Sequence, residues 1–248
     1  MKIIEVKKLH RYYTSRDKKR VTALNNVSFD IFDNEIFGIL GTNGAGKTTL
    51  IKIMSTFLAP SEGCVKVFGK KTFGEEKSIR PKINFIFGGE RGLYNRLSAY
   101  DNLLFFGDLY LVPYSELKKR INYLLELVGL YEVKDRKVET FSKGMVQKLQ
   151  IAKGLINDPL VLFLDEPTIG LDPVAVNDLH NIIYDLKARG KTIILTTHYM
   201  HEADKLCDRI AFISKGEILD IGTSDELKLK YLNTTDAELE DLFVKVMK

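Results

Sequence analysis

Cysteine is scarce in this sequence, with only Cys64 and Cys207 among 248 residues. Two thiols make no disulfide framework, and a chain of this size needs none, so a reducing compartment is the simpler expectation. Long apolar runs are missing as well. The longest candidates, Leu160–Leu164 and Ile193–Leu195, fall far short of the roughly 18–20 residues that a membrane-spanning helix requires. The opening Met1-Lys2-Ile3-Ile4-Glu5 meets charge at once and carries no signal-peptide apolar core. Nor does charge of one sign dominate. The 37 basic and 33 acidic side chains leave a net +4, which neither demands nor excludes a nucleic acid or an anionic membrane surface. There is no internal repeat and no low-complexity segment. The expectation is a cytosolic chain that is recruited if it works at a membrane.

What is present is material for a core. Hydrophobic residues make up 45% and charged residues 28%, which excludes disordered and fibrous classes. At roughly 150 residues per domain the length corresponds to about 1.7 domains. The first stretch reads as strands: Lys2–Leu9, Val27–Ile31 and Glu35–Leu40, with a turn at Asp33-Asn34. The basic run Arg16–Arg20 reads as a solvated loop. After Lys47 the period changes, and Leu50, Ile53, Met54 and Phe57 fall on one helical face that Pro60 ends. Cys64–Phe68 returns to alternation, as an edge or hairpin strand.

From about Gly88 to Ile156 the pattern is helical. Helices are expected over Leu103–Leu111, over Leu117–Val128 with Ser115 as N-cap and Gly129 as C-cap, and over about Lys143–Ile156. Strands and helices then alternate: Leu160–Leu164, Val174–Lys187, Thr192–Thr196, His201–Leu206 and Arg209–Ser214, followed by a hairpin at Lys215-Gly216 into Glu217–Ile221. Such interleaving indicates a parallel sheet with crossover helices. The plan is an α/β core interrupted near its middle by a helical insertion.

Gly41-Thr42-Asn43-Gly44-Ala45-Gly46-Lys47-Thr48, followed by Thr49, matches G-x-x-x-x-G-K-[ST]. Such a match arises by chance in roughly 1% of chains this long, and the flanking strand and helix are what the mechanism needs. Glycines let the backbone curl so that several N–H groups face one anion. The helix N-terminus adds roughly half a positive charge. Lys47 is placed for the β- and γ-phosphates and the Thr48 hydroxyl for Mg2+.

The apolar run Leu160–Leu164 ends in Asp165-Glu166. A carboxylate pair at a strand end is by itself most often just solvated. Beside a phosphate loop it has a use, because parallel strands bring their C-terminal ends to one ligand-binding edge. Asp165 then organises Mg2+, directly or through water, and Glu166 orients or deprotonates the attacking water. His198 follows the next strand at that same edge, in Thr196-Thr197-His198.

Phe141-Ser142-Lys143-Gly144-Met145-Val146-Gln147 lies ahead of the third helix of the insertion, before Asp165-Glu166. In this order the motifs resemble the nucleotide-binding subunit of ABC transporters, over essentially Met1 to about Gly222. The family signature is commonly L-S-G-G-Q, and Ser142 and Gly144 retain two of its anchors. The resemblance implies that Ser142 and Gly144 face the γ-phosphate on a second copy of the chain, so that two chains close head-to-tail around two ATP. It also implies that Asp172, in Ile169-Gly170-Leu171-Asp172, is the key residue of the following loop and that His198 is the switch histidine. Tyr13 takes the place of the aromatic that stacks on adenine, with Tyr12 a near alternative.

One departure stands out. The family normally carries a glutamine after the strand that here reads Ile83–Phe87, whereas this chain continues Gly88-Gly89-Glu90-Arg91. Glu90 is the candidate substitute. That variation, with the tail Leu239–Phe243, resembles the branch that serves drug, lipid-linked polymer or peptide exporters; read plainly, the tail is an amphipathic helix that covers the core.

The expected fold is α/β: a P-loop NTPase core with a mixed, mainly parallel sheet, an N-terminal antiparallel β-subdomain and an inserted α-helical subdomain. The expected divisions are 1–87 and 157–222 for the core, 88–156 for the helical subdomain and 223–248 for a helical tail. The expected function is that of an ATPase subunit, using ATP and Mg2+, that drives a separate integral membrane permease from the cytoplasmic face, as a dimer of this chain or with a sister subunit. No nucleic-acid partner is expected. The rivals are a soluble ABC ATPase acting on nucleic acid or ribosomes, a P-loop kinase or GTPase, and a cassette that binds ATP without turnover.

Overall fold

The computed structural model describes residues 1–14, 19–87 and 92–247. Arg16, Asp17 and Lys18 of the basic run lie outside the described residues, as do Gly88, Gly89, Glu90 and Arg91, on which the expectation of a glutamine substitute falls.

Two sheets organise the chain. In the first, β1 (Lys2–Thr14) pairs antiparallel with β2 (Arg20–Phe32) on one side. On its other side lies β4 (Glu62–Val67), which continues to the two-residue β5 (Lys70–Lys71). Between β2 and β4 the chain builds β3 (Ile36–Leu40) and helix α1 (Lys47–Met54), and after β5 come the short helix α2 (Glu76–Ile79) and β6 (Ile83–Phe87). The second sheet is completed by β7 (Val161–Asp165), β8 (Thr192–Thr197), β9 (Arg209–Ser214) and β10 (Glu217–Gly222), in the order β10-β9-β3-β8-β7-β6. Its first four pairings from β6 to β9 are parallel, and only β10 runs antiparallel. The hairpin that attaches β10 turns through Lys215 (φ 49°) and Gly216 (φ 82°), the double left-handed geometry of a tight hairpin.

The inner strands β3, β7 and β8 are buried along nearly their whole length because both faces are covered, whereas the edge strand β10 carries Glu217 and Asp220. One face packs with α1 against the first sheet, burying Ile4, Leu9, Phe37, Ile39, Leu50 and Phe163. The other face meets α3 (Ala99–Leu109), α4 (Tyr114–Leu127), α5 (Lys143–Gly154) and α6 (Pro173–Ala188) around Ile121, Leu149, Leu162 and Ile183. A third cluster joins Leu40 and Phe212 to α7 (Met200–Leu206) and to the closing helices α8 (Ser224–Leu232) and α9 (Leu239–Val246). Leu239 and Leu242 are buried there, so the tail helix does cover core.

Three local expectations change. Helix α1 ends at Met54, so Phe57 is not on its face and stands 65% exposed, edge-on to Phe85. The Ser55 hydroxyl bonds back to the Ile51 carbonyl at 2.8 Å and Thr56 turns left-handed (φ 68°), which stops the helix well before Pro60. Pro113 rather than Ser115 caps α4, its carbonyl accepting the N–H groups of Glu116 and Leu117 while Ser115 sits in the first turn. Helix α3 starts earlier than its apolar stripe, capped by Ser98, and ends at Leu109, leaving Leu111 outside it and exposed. The end of α4 follows expectation: Gly129 (φ 68°) is left-handed, and the N–H groups of Gly129 and Leu130 reach the carbonyls of Glu126 and Leu125.

Candidate active site

The loop 41–46 connects the carboxyl end of β3 to the first turn of α1. It needs glycine in two places. Gly46 has φ 111°, and a Cβ there would lie 2.7 Å from the Ala23 carbonyl oxygen. A Cβ on Gly41 would lie 2.3 Å from the Ile213 carbonyl oxygen. The chain is thus pressed between β2 and β9. A cavity of about 180 Å³ opens there, lined by Asn43, Gly44, Ala45, Gly46, Lys47, Thr48, Thr49, Ala23 and Glu166.

Lys47 is 5% exposed and folds over this loop, donating to the carbonyls of Gly41 (2.7 Å) and Thr42 (3.2 Å). Burial holds its ammonium below the ordinary lysine range, against the opposing pull of Glu166 and Asp165. Its Nζ lies 3.8 Å from Glu166 Oε1. A cation desolvated and loosely paired in this way is poised for an anion that brings more charge than one carboxylate.

The acidic pair comes from the end of β7. Register pairs Asp165 with Phe87 of β6 on one side and Thr196 of β8 on the other. The Thr48 hydroxyl donates to Asp165, 3.2 Å from Oδ2. Glu166 turns left-handed (φ 51°), uncommon for a residue with a side chain. Its N–H bonds to the Thr196 carbonyl at 3.0 Å and hydroxyl at 3.2 Å. His198, just past β8, brings Nδ1 to 3.3 Å from Glu166 Oε2. The loop, the two carboxylates and the histidine therefore meet at the carboxyl edge of the sheet. Thr196 is the member that the residue types alone did not single out; the only signal was a polar pair, Thr196-Thr197, closing an otherwise apolar strand.

Thr48 Oγ1 and Asp165 supply two hard oxygen donors side by side at the mouth of the phosphate loop. That set fits Mg2+, which takes few protein ligands and completes its shell with water and phosphate oxygen. Among the described residues no group of three or more His, Cys, Asp or Glu forms an all-protein metal cage.

The remaining predicted residues lie apart from this cluster, with no hydrogen bond or ion pair to it among the described residues. Ser142 caps α5, accepting the Met145 N–H at 3.2 Å. Asp172 caps α6, accepting the N–H groups of Val174 and Ala175 at 3.0 Å each. These two helix starts touch: a Cβ on Gly144 would lie 2.9 Å from that of Ala175. Tyr13 is 40% exposed near the end of β1 with the Arg11 guanidinium 4.8 Å from its ring centre, while Arg20 lies over Tyr12 at 3.2 Å. Beyond the site, α6 and α7 are joined by a buried contact of 3.4 Å between His180 Nε2 and Glu202 Oε1.

A strand, a glycine loop and a helix facing two carboxylates at a parallel-sheet edge define a P-loop nucleoside triphosphatase. The sequence profile of the family described as ABC transporter matches residues 24–169. The ABC transporter ATP-binding protein NatA of Bacillus subtilis is 42% identical over 86% of this chain and 87% of its own length. The fluoroquinolones export ATP-binding protein MT2762 of Mycobacterium tuberculosis is 42% identical over 84% of this chain and 67% of its own. Among solved structures, an ATP-binding subunit of an ABC transporter superposes with a TM-score of 0.85 at 29% identity, covering 99% of this chain and 100% of that one. The dimeric post-hydrolysis state of the cassette MJ0796, bound to ADP and Pi, superposes at 0.79 with 27% identity over 89% and 98%. The chain belongs to the ABC transporter family, as an ATP-binding subunit with ATPase activity. Among the described residues no helix is long and apolar enough to cross a membrane.

Proposed function

We propose that two copies of this chain close head-to-tail around two Mg·ATP and drive a separate membrane permease that exports its cargo. The observation that carries this reading is the convergence of Lys47, Thr48, Asp165, Glu166 and His198 on one edge of the sheet. The backbone N–H groups of residues 41–49 cradle the phosphates, and Lys47 leaves the loop carbonyls for the β- and γ-oxygens. Thr48 and Asp165 hold Mg2+, which neutralises charge on the transferring phosphoryl group when bound. Glu166 takes the proton of the attacking water, and His198, 3.3 Å from its carboxylate, orients it and contacts the γ-phosphate. Tyr13 stacks on adenine.

Ser142 and Gly144, at the start of α5, serve the γ-phosphate of the opposite copy, beside the Asp172 loop. The cassette MJ0796 in its dimeric, ADP- and Pi-bound form supports pairing of this kind. The export-named relative from Mycobacterium tuberculosis supports the direction of transport. The permease binds the apolar surface that runs toward Leu111, where Tyr94, Phe105, Leu109 and Leu111 are exposed, and it holds the subunit on the cytoplasmic face of the membrane.

The test is a pull-down of the tagged chain from detergent-solubilised native membranes, with bound proteins identified by mass spectrometry. A polytopic membrane protein at near-equal stoichiometry is the expected result. Recovery only from the soluble fraction, with ribosomes or nucleic acid attached, overturns the reading.

A further inference from the structure

We infer that Thr196 is a positioning residue for both carboxylates, its one hydroxyl orienting Asp165 toward the metal and fixing the backbone turn that aims Glu166. The side chain is fully buried near the end of β8, in ladder register with Asp165. Its Oγ1 donates to Asp165 Oδ1 at 2.5 Å and accepts the N–H of Glu166 at 3.2 Å. A hydroxyl has a single proton to give. Spending it on Oδ1 leaves Oδ2 turned to the Thr48 hydroxyl, the second oxygen of the candidate Mg2+ pair.

The accepting side of the same oxygen acts on Glu166. That residue holds a left-handed φ of 51°, a conformation that persists only where its surroundings over-determine it. Its N–H is shared between the Thr196 hydroxyl and carbonyl, which anchors the turn to β8. From that anchor the Glu166 carboxylate stands beside Lys47 of α1 and His198, which follows Thr196 by two residues. The core does not ask for a hydroxyl here, since Ile193, Ile194 and Leu195 precede it in β8 and valine has the same shape. Thr197 marks the contrast: its hydroxyl accepts the Tyr199 N–H at 3.0 Å and touches neither carboxylate.

This inference rests on the proposed Mg·ATP reading, and its test separates the two. Wild type, T196V, T196S and T197V are titrated with a ribose-labelled fluorescent ATP analogue, first in EDTA and then with increasing Mg2+. The chain has no tryptophan, so the nucleotide signal is read directly. T196V is expected to bind the metal-free analogue as wild type does, yet to need about 10-fold more Mg2+ for half its effect, the usual worth of a residue that orients a metal ligand. Steady-state kcat should fall by a similar factor, and T196S should recover most of both losses. T197V should leave the Mg2+ midpoint unmoved. Thermal melts in EDTA separate any general loss of stability, and if T196V does not fold, T196A removes the same hydroxyl with less bulk. An unchanged Mg2+ midpoint in the folded hydroxyl-less variant overturns the inference, as does T196S behaving no better than T196V. A wild-type chain that binds the analogue with no response to Mg2+ overturns the Mg·ATP reading itself, and the inference with it.

Discussion

Nδ1 of His198 and Oε2 of Glu166 stand 3.3 Å apart across the carboxyl ends of two adjacent parallel strands. The histidine lies nearest the carboxylate oxygen that does not face Lys47, so each basic group stands beside a different oxygen of Glu166. Replacing Glu166 with Gln keeps the shape and removes the proton acceptor. ATP turnover should drop by ~10²–10⁴, or about 3–5 kcal/mol of barrier, while ATP binding survives. Turnover at the parental rate would show that Glu166 is not the base.

In the proposed reading Lys47 supplies the charge the phosphates need, and in this structure it is occupied by the carbonyls of Gly41 and Thr42. Lys47→Ala should abolish nucleotide binding in an equilibrium titration. Unchanged ATP affinity would sink the assignment of the loop.

The proposed head-to-tail pairing makes a sharper demand. Lys47→Ala damages the loop of one copy, and Ser142→Arg damages what the other copy offers. Each variant alone should be inactive, but a mixture forms heterodimers with one intact composite site. Random mixing should restore about a quarter of the wild-type sites, since half the dimers are mixed and each has one good site of two. No recovery, with mixed dimers verified by differential tags, would exclude sites shared between copies.

Lys153 of α5 reaches the Gly92 carbonyl at 3.2 Å and lies over the Phe106 ring, and burial pushes its pKa down to about 8. A lysine depressed when folded binds its proton less tightly than in the unfolded chain. Its contribution to stability is therefore present above about pH 10.5, and it is lost as pH falls through about 8. Lys153→Met should stabilise the protein most below pH 8, with the advantage shrinking toward pH 10. Urea midpoints at pH 7 and pH 9.5 measure this, and a pH-independent difference would count against it.

Gly38 of β3 lies where a Cβ would come 2.6 Å from Cys207 Sγ. Gly38→Ala should cost about 1–3 kcal/mol through overpacking, and adding Cys207→Ala should return part of that loss. Denaturation of the single and double variants reads the coupling directly.

The loop 41–46 between β3 and α1 was legible because its motif is contiguous, with the glycines, Lys47 and Thr48 in one stretch. The caps at Ser142 and Asp172 bond only two or three residues ahead, so they too lie within reach of local reading. Periodicity placed the central helices and strands but misplaced Phe57, and cap preference by residue type misplaced Ser115. An apolar stripe records which face is buried, whereas the end of a helix is set by a back-bonding serine, a left-handed threonine or a proline carbonyl.

The sequence by itself determined the class of chemistry, through a glycine-rich loop that ends in Lys47-Thr48 and a strand that runs into two carboxylates. Tertiary structure alone decided how those carboxylates are held. The register of β7 against β8 sets Asp165 and Glu166 on a hydroxyl some thirty residues away, and the strand order brings that pair to the loop between β3 and α1. The same is true of His180 and Glu202, which look like ordinary helix polar residues until the packing of α6 on α7 buries them together. Local pattern fixes φ and ψ within a few residues; distances between strand ends exist only once the sheet has chosen its neighbours.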